Sequence, residues 1–392
     1  MSGDTLLGDP IATLELHEPV TGVRAFLAID SLPEGGPTVG GVRLTPTVSM
    51  DEIRRLARAM TYKYGISGVP CGGAKLGIAA DPADPRKPEI LRRVAGLIAP
   101  LVRADLYRFG EDMGTTRDDI ALMYRELAID PVGSIQQRAR RFGKHLVFTP
   151  GTTMATVGGP DFEETITGYG LAEVLVEACE VVGLDAASVR VAIQGFGTVG
   201  AGLARLLDAR GVRVTTVADA EGTLEAEPGL PVTALLAARS ALGAIDRARI
   251  PAGIRRRPRE AWLDSPAEVI VPAAVSDAIG EANVAAVRAR LVLEGANIPL
   301  TEAAEAQLDA RGVAVVPDFV ANAGAAAGYS LIWYGPATRE TIYEVVGRRL
   351  RTVTREVLES SRREKLLPRE AAKALALASL EKHGVAFNRA LR

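Results

Sequence analysis

Cysteine and histidine are scarce in this 392-residue chain: two cysteines, Cys71 and Cys179, sit in unrelated contexts, and three histidines, His17, His145 and His383, are scattered. That set builds neither a disulfide framework nor a zinc centre, and no metal is expected. There is no run of about 18 apolar residues, so no helix is expected to span a membrane. The opening MSGDTLLGDP carries acid where a secretion signal carries basic residues, which leaves the cytoplasm as the expected compartment. An excess of one charge is missing as well. Lysine and arginine (46) nearly balance aspartate and glutamate (48), and a net charge of -2 gives no general motive for binding nucleic acid. The one basic cluster, Arg255-Arg-Arg-Pro-Arg259, has no interleaved aromatics and reads as a surface loop. The expected partners are small molecules and copies of the chain itself.

What is present is apolar residue in quantity, 47%, over a length beyond which a single core stops growing, so two domains are expected. Residues 10 to 45 alternate short β-type runs such as Arg24-Ala-Phe-Leu-Ala-Ile29 with turn-rich pieces, which reads as a sheet. Ser49-Met-Asp-Glu52 has the form of a capping box, and Ile53, Leu56, Ala57, Met60 and Tyr64 recur at helical spacing. From about residue 165, β-branched strands (VRVAIQ, VRVTTVAD, AEVIVPAA, ARLVLEGA, GVAVVPDF) alternate with alanine- and leucine-rich helices, the texture of a parallel sheet covered on both faces. The fold expected is α/β. An N-terminal α/β domain covers 1–150, a Rossmann-type doubly wound parallel sheet covers 151–337, and a helical segment, 338–392, broken near Leu366-Leu-Pro368, packs back toward the first domain.

Gly195-Phe-Gly-Thr-Val-Gly200 is G-x-G-x-x-G, a weak signal alone. Here it follows a strand, opens a helix, and is succeeded by a second strand ending in Asp219. The glycines allow a tight turn, the helix N-terminus offers N–H groups to a diphosphate, and Asp219 is placed to accept from the adenosine ribose hydroxyls. Gly195, Phe196, Gly197, Thr198, Val199, Gly200 and Asp219 are thus the candidate dinucleotide site. An acid at the ribose favours NAD over NADP.

Two lysines and an aspartate stand out. Lys63 falls near the end of the capped helix, and Lys75 follows twelve residues later in what reads as a glycine-rich turn, Val69-Pro-Cys-Gly-Gly-Ala-Lys75. Desolvation and a neighbouring cation would lower the proton affinity of Lys75 toward neutrality, fitting it for proton exchange. A lysine in an exposed turn is the plainer alternative. Asp112, in Glu111-Asp-Met-Gly-Thr-Thr116, is placed either for acid–base work or as a turn residue ahead of a helix capped by Thr116.

In order, MTYK, PCGGAK, EDMGTT, the dinucleotide fingerprint, EGAN and PDFVANAG resemble the glutamate/leucine/phenylalanine/valine dehydrogenases, over roughly residues 15 to 335. The resemblance implies a homo-oligomeric, NAD(P)-dependent enzyme that reversibly deaminates an L-amino acid to the 2-oxo acid and ammonia. It implies that Lys63 binds the substrate α-carboxylate, that Lys75 is the catalytic lysine, and that Asp112 shuttles protons at nitrogen. Gly40 and Gly41 would line the site near the nicotinamide, Thr167 and Asn297 would touch the cofactor, and Asn322 would face cofactor and substrate. The cleft between the domains is where closure would exclude water.

Glutamate-specific relatives carry lysine immediately before the GG of GG-x-R, and this chain has Val39 there. A side-chain carboxylate would lack a counter-charge, at a cost of several kcal/mol. The side-chain pocket, Val39, Gly110, Ala326 and Tyr329, instead resembles the leucine and phenylalanine branch and fits a branched-chain or aromatic amino acid, although Tyr329 also reads as plain helix packing. Two other readings stand: a glutamate dehydrogenase that draws its acid-binding group from Arg43 or Ser330, and a non-catalytic NAD-binding regulatory or assembly protein. Ile298, in EGANIP, stands where the relatives commonly have glycine.

Overall fold

The structure, a computed structural model, describes residues 8–34, 37–130, 140, 162–240 and 243–388. Most of the stretch 133–159 lies outside the described residues. The chain forms two compact units, and the first combines residues up to 154 with 330–336 and 374–392. Residues 155–329 and 337–373 form the second.

In the first unit, β1 (Ala12–His17) and β2 (Arg24–Ile29) make an antiparallel pair whose far side meets β6 (Gly72–Ile78). β4 (Thr38–Val39) and β5 (Val42–Leu44) lie parallel to β6 on its other edge, so β6 is central and every one of its residues is buried. Burial alternates along edge strand β1 and is continuous along β2, as expected of an edge strand and its inner neighbour. α1 (Met50–Ser67) starts where the Ser49 hydroxyl accepts the Glu52 N–H, ends at left-handed Gly68, and buries Ile53, Leu56, Ala57 and Tyr64. α2 (Lys87–Arg103) and α3 (Arg117–Glu126) close the core over Leu76, Ile90, Val94, Ile98 and Met123. β3 (Ser31–Pro33) pairs with β14 (Val385–Phe387), so the C-terminal end of the chain is part of this unit.

The expectation of a glycine-rich turn around Lys75 is corrected: Gly72, Gly73 and Gly77 belong to the central strand. Glycine there serves close approach. A Cβ on Gly73 would lie 2.2 Å from the Thr61 amide nitrogen and 2.5 Å from the Ala57 carbonyl oxygen, so the missing side chain is what lets α1 press onto β6.

The second unit is a seven-stranded sheet in the order β10-β9-β8-β7-β11-β12-β13. β7 (Arg190–Gln194), β8 (Arg213–Asp219), β11 (Val269–Pro272), β12 (Leu291–Leu293) and β13 (Ala314–Val316) are parallel, which is the α/β sheet read from the sequence. The outer edge differs. β9 (Gly222–Glu225) and β10 (Arg255–Arg257) run antiparallel there, so the basic cluster read as a loop is an edge strand. Charge on an edge strand discourages pairing with other chains, and Arg257 is held by Asp264 and Glu225. The helices of this unit include α4 (Phe162–Val182), α5 (Thr198–Ala209), α6 (Val232–Ala238), α7 (Glu302–Ala310) and α8 (Asp318–Ala321). α9 (Gly324–Trp333), α10 (Ile342–Glu364) and α11 (Pro368–Lys382) complete the described helices, with α10 ending at left-handed Lys365, the break expected near Leu366. No described helix is long and apolar enough to cross a membrane.

Candidate active site

The first unit gathers four charged side chains, Lys75 of its central strand, Arg43, Glu52 and Asp112. Asp112 is carried on a loop pinned to β5: the Gly110 carbonyl accepts the Val42 N–H at 3.0 Å, and the Thr115 hydroxyl donates to the Val42 carbonyl at 2.8 Å. That hydroxyl also accepts the Asp112 N–H at 3.0 Å, while Thr116, the second threonine of EDMGTT, caps α3. Lys75 Nζ lies 3.2 Å from Asp112 Oδ2, with only 3% of the lysine side chain and 12% of the aspartate's exposed. Arg43, on β5, donates from Nε to the same Oδ2 at 2.8 Å and from Nη1 to Glu52 Oε1, in the first turn of α1, at 2.5 Å.

The electrostatics follow from this geometry. Burial pulls the Lys75 ammonium below its ordinary lysine pKa and the Arg43 charge adds to that, while Asp112 and Glu52 oppose it. Burial alone would raise Asp112, but the Lys75 and Arg43 charges outweigh it and hold the carboxyl well below the usual carboxylate range. The centre is therefore a fixed anion gripped by a permanent cation, beside a lysine whose proton is loosened. Sequence reading treated Arg43 only as a possible substrate anchor. Its partners lie 9 and 69 residues away, and no local pattern announces them.

Lys63 lies on α1 and is buried. Gly40 and Gly41 follow β4, and their bareness has a packing cause: a Cβ on Gly40 would fall 1.6 Å from the Ala74 carbonyl oxygen, and one on Gly41 would fall 2.5 Å from that of Glu111. The Gly40 carbonyl also accepts the Tyr107 hydroxyl at 3.0 Å. Val39 is half-buried, and the space where Gly110 would carry a Cβ is open.

In the second unit the dinucleotide fingerprint spans the strand-to-helix turn from β7 to α5. Gly195 takes φ +94°, a conformation that favours glycine, and a Cβ on Gly200 would sit 2.0 Å from the Gly195 carbonyl oxygen. Phe196 is buried beneath the turn, while Gly197, Thr198 and Val199 reach the surface. No side chain caps the N-terminus of α5, and nothing stands within 4 Å of a Cβ built on Gly197, so its first N–H groups suit an anion. Arg239 and Glu164 border the turn: Arg239 donates to the Gly197 carbonyl at 3.3 Å and to Glu164 at 2.8 Å.

Asp219 ends β8, where the sequence put it, but its carboxylate is taken. Oδ1 accepts the N–H groups of Glu221 and Gly222, Oδ2 accepts that of Ile245, and Arg247 binds both oxygens, at 2.5 and 2.8 Å. With 2% of the side chain exposed, the acid has little left for ribose hydroxyls, and its charge is matched by a guanidinium. The charge argument for NAD is weaker than the sequence suggested.

Asn322 follows α8 and is 8% exposed. Its amide nitrogen donates to the Gly295 and Ala296 carbonyls, at 3.1 and 2.9 Å, and to Asn297 Oδ1 at 3.3 Å, while its own Oδ1 has no protein partner. A buried, unpartnered amide oxygen is costly unless a ligand answers it. These features fit a dinucleotide. Ala326 and Tyr329 lie one turn apart on α9, both half-buried, with the Tyr329 ring edge-on to Phe162 at 5.4 Å. Thr167 is buried on α4, at the level where a Cβ on Gly324 would meet the α4 backbone at 2.5 Å. Ile298 adopts φ +46°, a left-handed conformation unfavourable for a β-branched residue.

Comparison with known proteins agrees with this reading of the fold. The model of the Glutamate/Leucine/Phenylalanine/Valine dehydrogenase family matches residues 158–385, and that of its N-terminal "dimerisation domain" matches residues 21–128. The chain is 32% identical over 303 residues to an NADP-specific glutamate dehydrogenase of Saccharolobus shibatae, covering 76% of this chain and 68% of that one. It is 32% identical over 299 residues to a catabolic NAD-specific glutamate dehydrogenase of Bacillus subtilis, covering 74% and 65%. Among solved structures, the hetero-hexameric glutamate dehydrogenase of Thermus thermophilus in its leucine-bound form superposes with a TM-score of 0.78 at 28% identity, over 97% of this chain and 93% of that one. The chain therefore belongs to the glutamate/leucine/phenylalanine/valine dehydrogenases and is an NAD(P)-dependent amino acid dehydrogenase acting on a CH–NH2 group.

Proposed function

We propose that the substrate is an apolar L-amino acid, branched-chain or aromatic, reversibly deaminated to its 2-oxo acid and ammonia. The observation that carries this is Val39 in the place of a lysine, together with Arg43, the cation nearest in sequence, being engaged by Asp112 and Glu52. The open space at Gly110 leaves room for a bulky side chain. Glutamate is the second reading, favoured by the names of the sequence relatives, and comparing kcat/KM for leucine, phenylalanine and glutamate decides between them.

In this proposal the first unit, with the helical C-terminal end of the chain, serves substrate binding and assembly, and the second holds the dinucleotide. A bound nicotinamide would supply the acceptor for the hydride that leaves the substrate Cα. Lys63 pairs with the α-carboxylate. Lys75, its proton loosened by burial, takes a proton from the water that adds to the imine carbon and returns it as the carbinolamine collapses. Asp112 exchanges protons at the departing nitrogen, and Arg43 keeps it anionic between turnovers. Gly40 and Gly41 let their backbone pack onto the strand of Lys75 and the loop of Asp112, which holds those two side chains in place. Lys75→Ala is expected to lower kcat by about 10²- to 10⁴-fold in a protein with an unchanged circular dichroism spectrum; undiminished turnover would remove Lys75 from the mechanism.

NAD is the proposed cofactor, with NADP less favoured but also accepted, since Arg247, paired with Asp219 at the end of β8, would offer a cation to a 2′-phosphate. Arg247→Ala is expected to weaken NADP binding at least tenfold more than NAD binding, an interval of about 1.4 kcal/mol. Equal weakening of the two would show that Arg247 does not read the phosphate. A homo-oligomer in the cytoplasm completes the proposal; the family's dimerisation domain supports the former, and two buried free thiols are compatible with the latter.

A further inference from the structure

Beneath the EGAN loop lies a buried cluster that the proposed chemistry does not use. The Arg369 guanidinium, at the start of α11, donates from Nε to Glu305 Oε1 at 2.5 Å, from Nη1 to Asp318 Oδ1 at 3.0 Å, and from Nη2 to Glu294 Oε2 at 2.6 Å. The three carboxylates are 0–5% exposed, and the arginine side chain is 11% exposed. Three acids around one base make a poor stability device, since ion pairs in a dry interior roughly break even at best. The partners suggest what the cluster is for. Asp318 reaches Arg369 with one oxygen and the Ile298 N–H with the other, at 3.0 Å. Glu294 Oε2 accepts from Arg369 and also from the Asp318 N–H, at 3.0 Å. Ile298 is the strained residue that follows Asn297, and Asp318 starts the helix that Asn322 caps at its C-terminal end.

We propose that Arg369 is a positioning residue for the nicotinamide dinucleotide: by clamping Glu294 and Asp318 it fixes the strained Asn297-Ile298 turn against the Asn322 helix, so that the two asparagines hold one arrangement. This rests on the assignment of Asn297 and Asn322 to the dinucleotide. The strain at Ile298 persists because Asp318 holds the amide, and Arg369 in turn orients Asp318. Glu305 differs from the other two acids, because its contacts are with the Arg369 guanidinium and the Glu294 carboxyl, and it holds neither the Ile298 amide nor the start of the Asn322 helix. That difference supplies the test.

Dissociation constants for NADH and NADPH, read by nucleotide fluorescence, and melting temperatures are measured for the full chain and for Asp318→Asn, Glu305→Gln, Arg369→Lys and Asn322→Ala. Both acid substitutions delete one ion pair to Arg369, so a purely structural cluster predicts similar losses from each. Positioning predicts that Asp318→Asn weakens NADH binding about tenfold and Glu305→Gln less than about twofold. Arg369→Lys, which keeps the charge but cannot bridge three acids, is expected to fall between wild type and Asp318→Asn. Equal effects of Asp318→Asn and Glu305→Gln on binding would overturn the proposal, as would wild-type affinity in a folded Asp318→Asn. If Asn322→Ala binds NADH like wild type, the assignment of Asn322 to the dinucleotide fails first and takes the proposal with it.

Discussion

At the scale of single residues, the chemistry depends on who stands beside Lys75. Arg43 lies on the same side of Asp112 as the lysine and its charge disfavours the ammonium, so removing it should let Lys75 hold its proton to higher pH. Arg43→Gln is therefore expected to move the deprotonation limb of the kcat/KM profile alkaline, and a limb that stays or moves acid would mean that the limb reports another group. The same substitution exposes how the sequence could be read and how it could not. Lys75 and Asp112 could be picked out because each sits in a short motif of fixed spacing, and the structure brings the two within 3.2 Å. Arg43 with Asp112, and Arg247 with Asp219, could not, because the partners lie 69 and 28 residues apart and meet only after folding. A second residue-scale prediction concerns specificity. Val39→Lys supplies the cation that a glutamate side chain would need, and is expected to raise kcat/KM for glutamate about tenfold while lowering that for leucine, a shift of about 1.4 kcal/mol in each preference. Unchanged ratios would place the specificity pocket elsewhere.

At the scale of elements, glycine was the signal most open to misreading. Gly72-Gly73 shortly after a proline looks like a turn, yet both residues lie in a central strand, where Gly73 serves the contact with α1 and Gly72 the contact with β3. Sequence shows that a side chain is missing but not which neighbour needs the space. Gly40→Ala is the sharpest check, since its Cβ would overlap the Ala74 carbonyl and the backbone of β6 has no flexible end to yield. Destabilisation of about 3 kcal/mol or more is expected, measured by urea unfolding, and a loss below about 1 kcal/mol would show that the β4–β5 connection relaxes easily. Other elements were plain from sequence. Capping at Ser49 and Thr116 and the strand–turn–helix around Gly195 appear where local rules put them, because each is decided within a few residues. The β9–β10 edge was missed, since a run of arginine carries charge but little β-signal.

At the scale of the whole molecule, composition and texture gave the α/β class, but not the path of the chain between units. The chain leaves the first unit, returns for residues 330–336, leaves again, and comes back at 374, so α9 and α11 each contribute to both units. Ending the chain at Gly384 removes β14, strips β3 of its partner and exposes the apolar contacts of Val385. That truncation is expected to cost the first unit about 2 kcal/mol, seen as earlier proteolysis of the 31–33 segment, and an unchanged digestion pattern would make the pairing dispensable. The β3–β14 pairing also has a meaning in time. On the ribosome, residues 31–33 emerge more than 350 residues before the strand that completes them, by a subtraction of 33 from 385. At about 5–20 residues per second the unfinished edge waits for tens of seconds, a window in which it is open to chaperones and to neighbouring nascent chains.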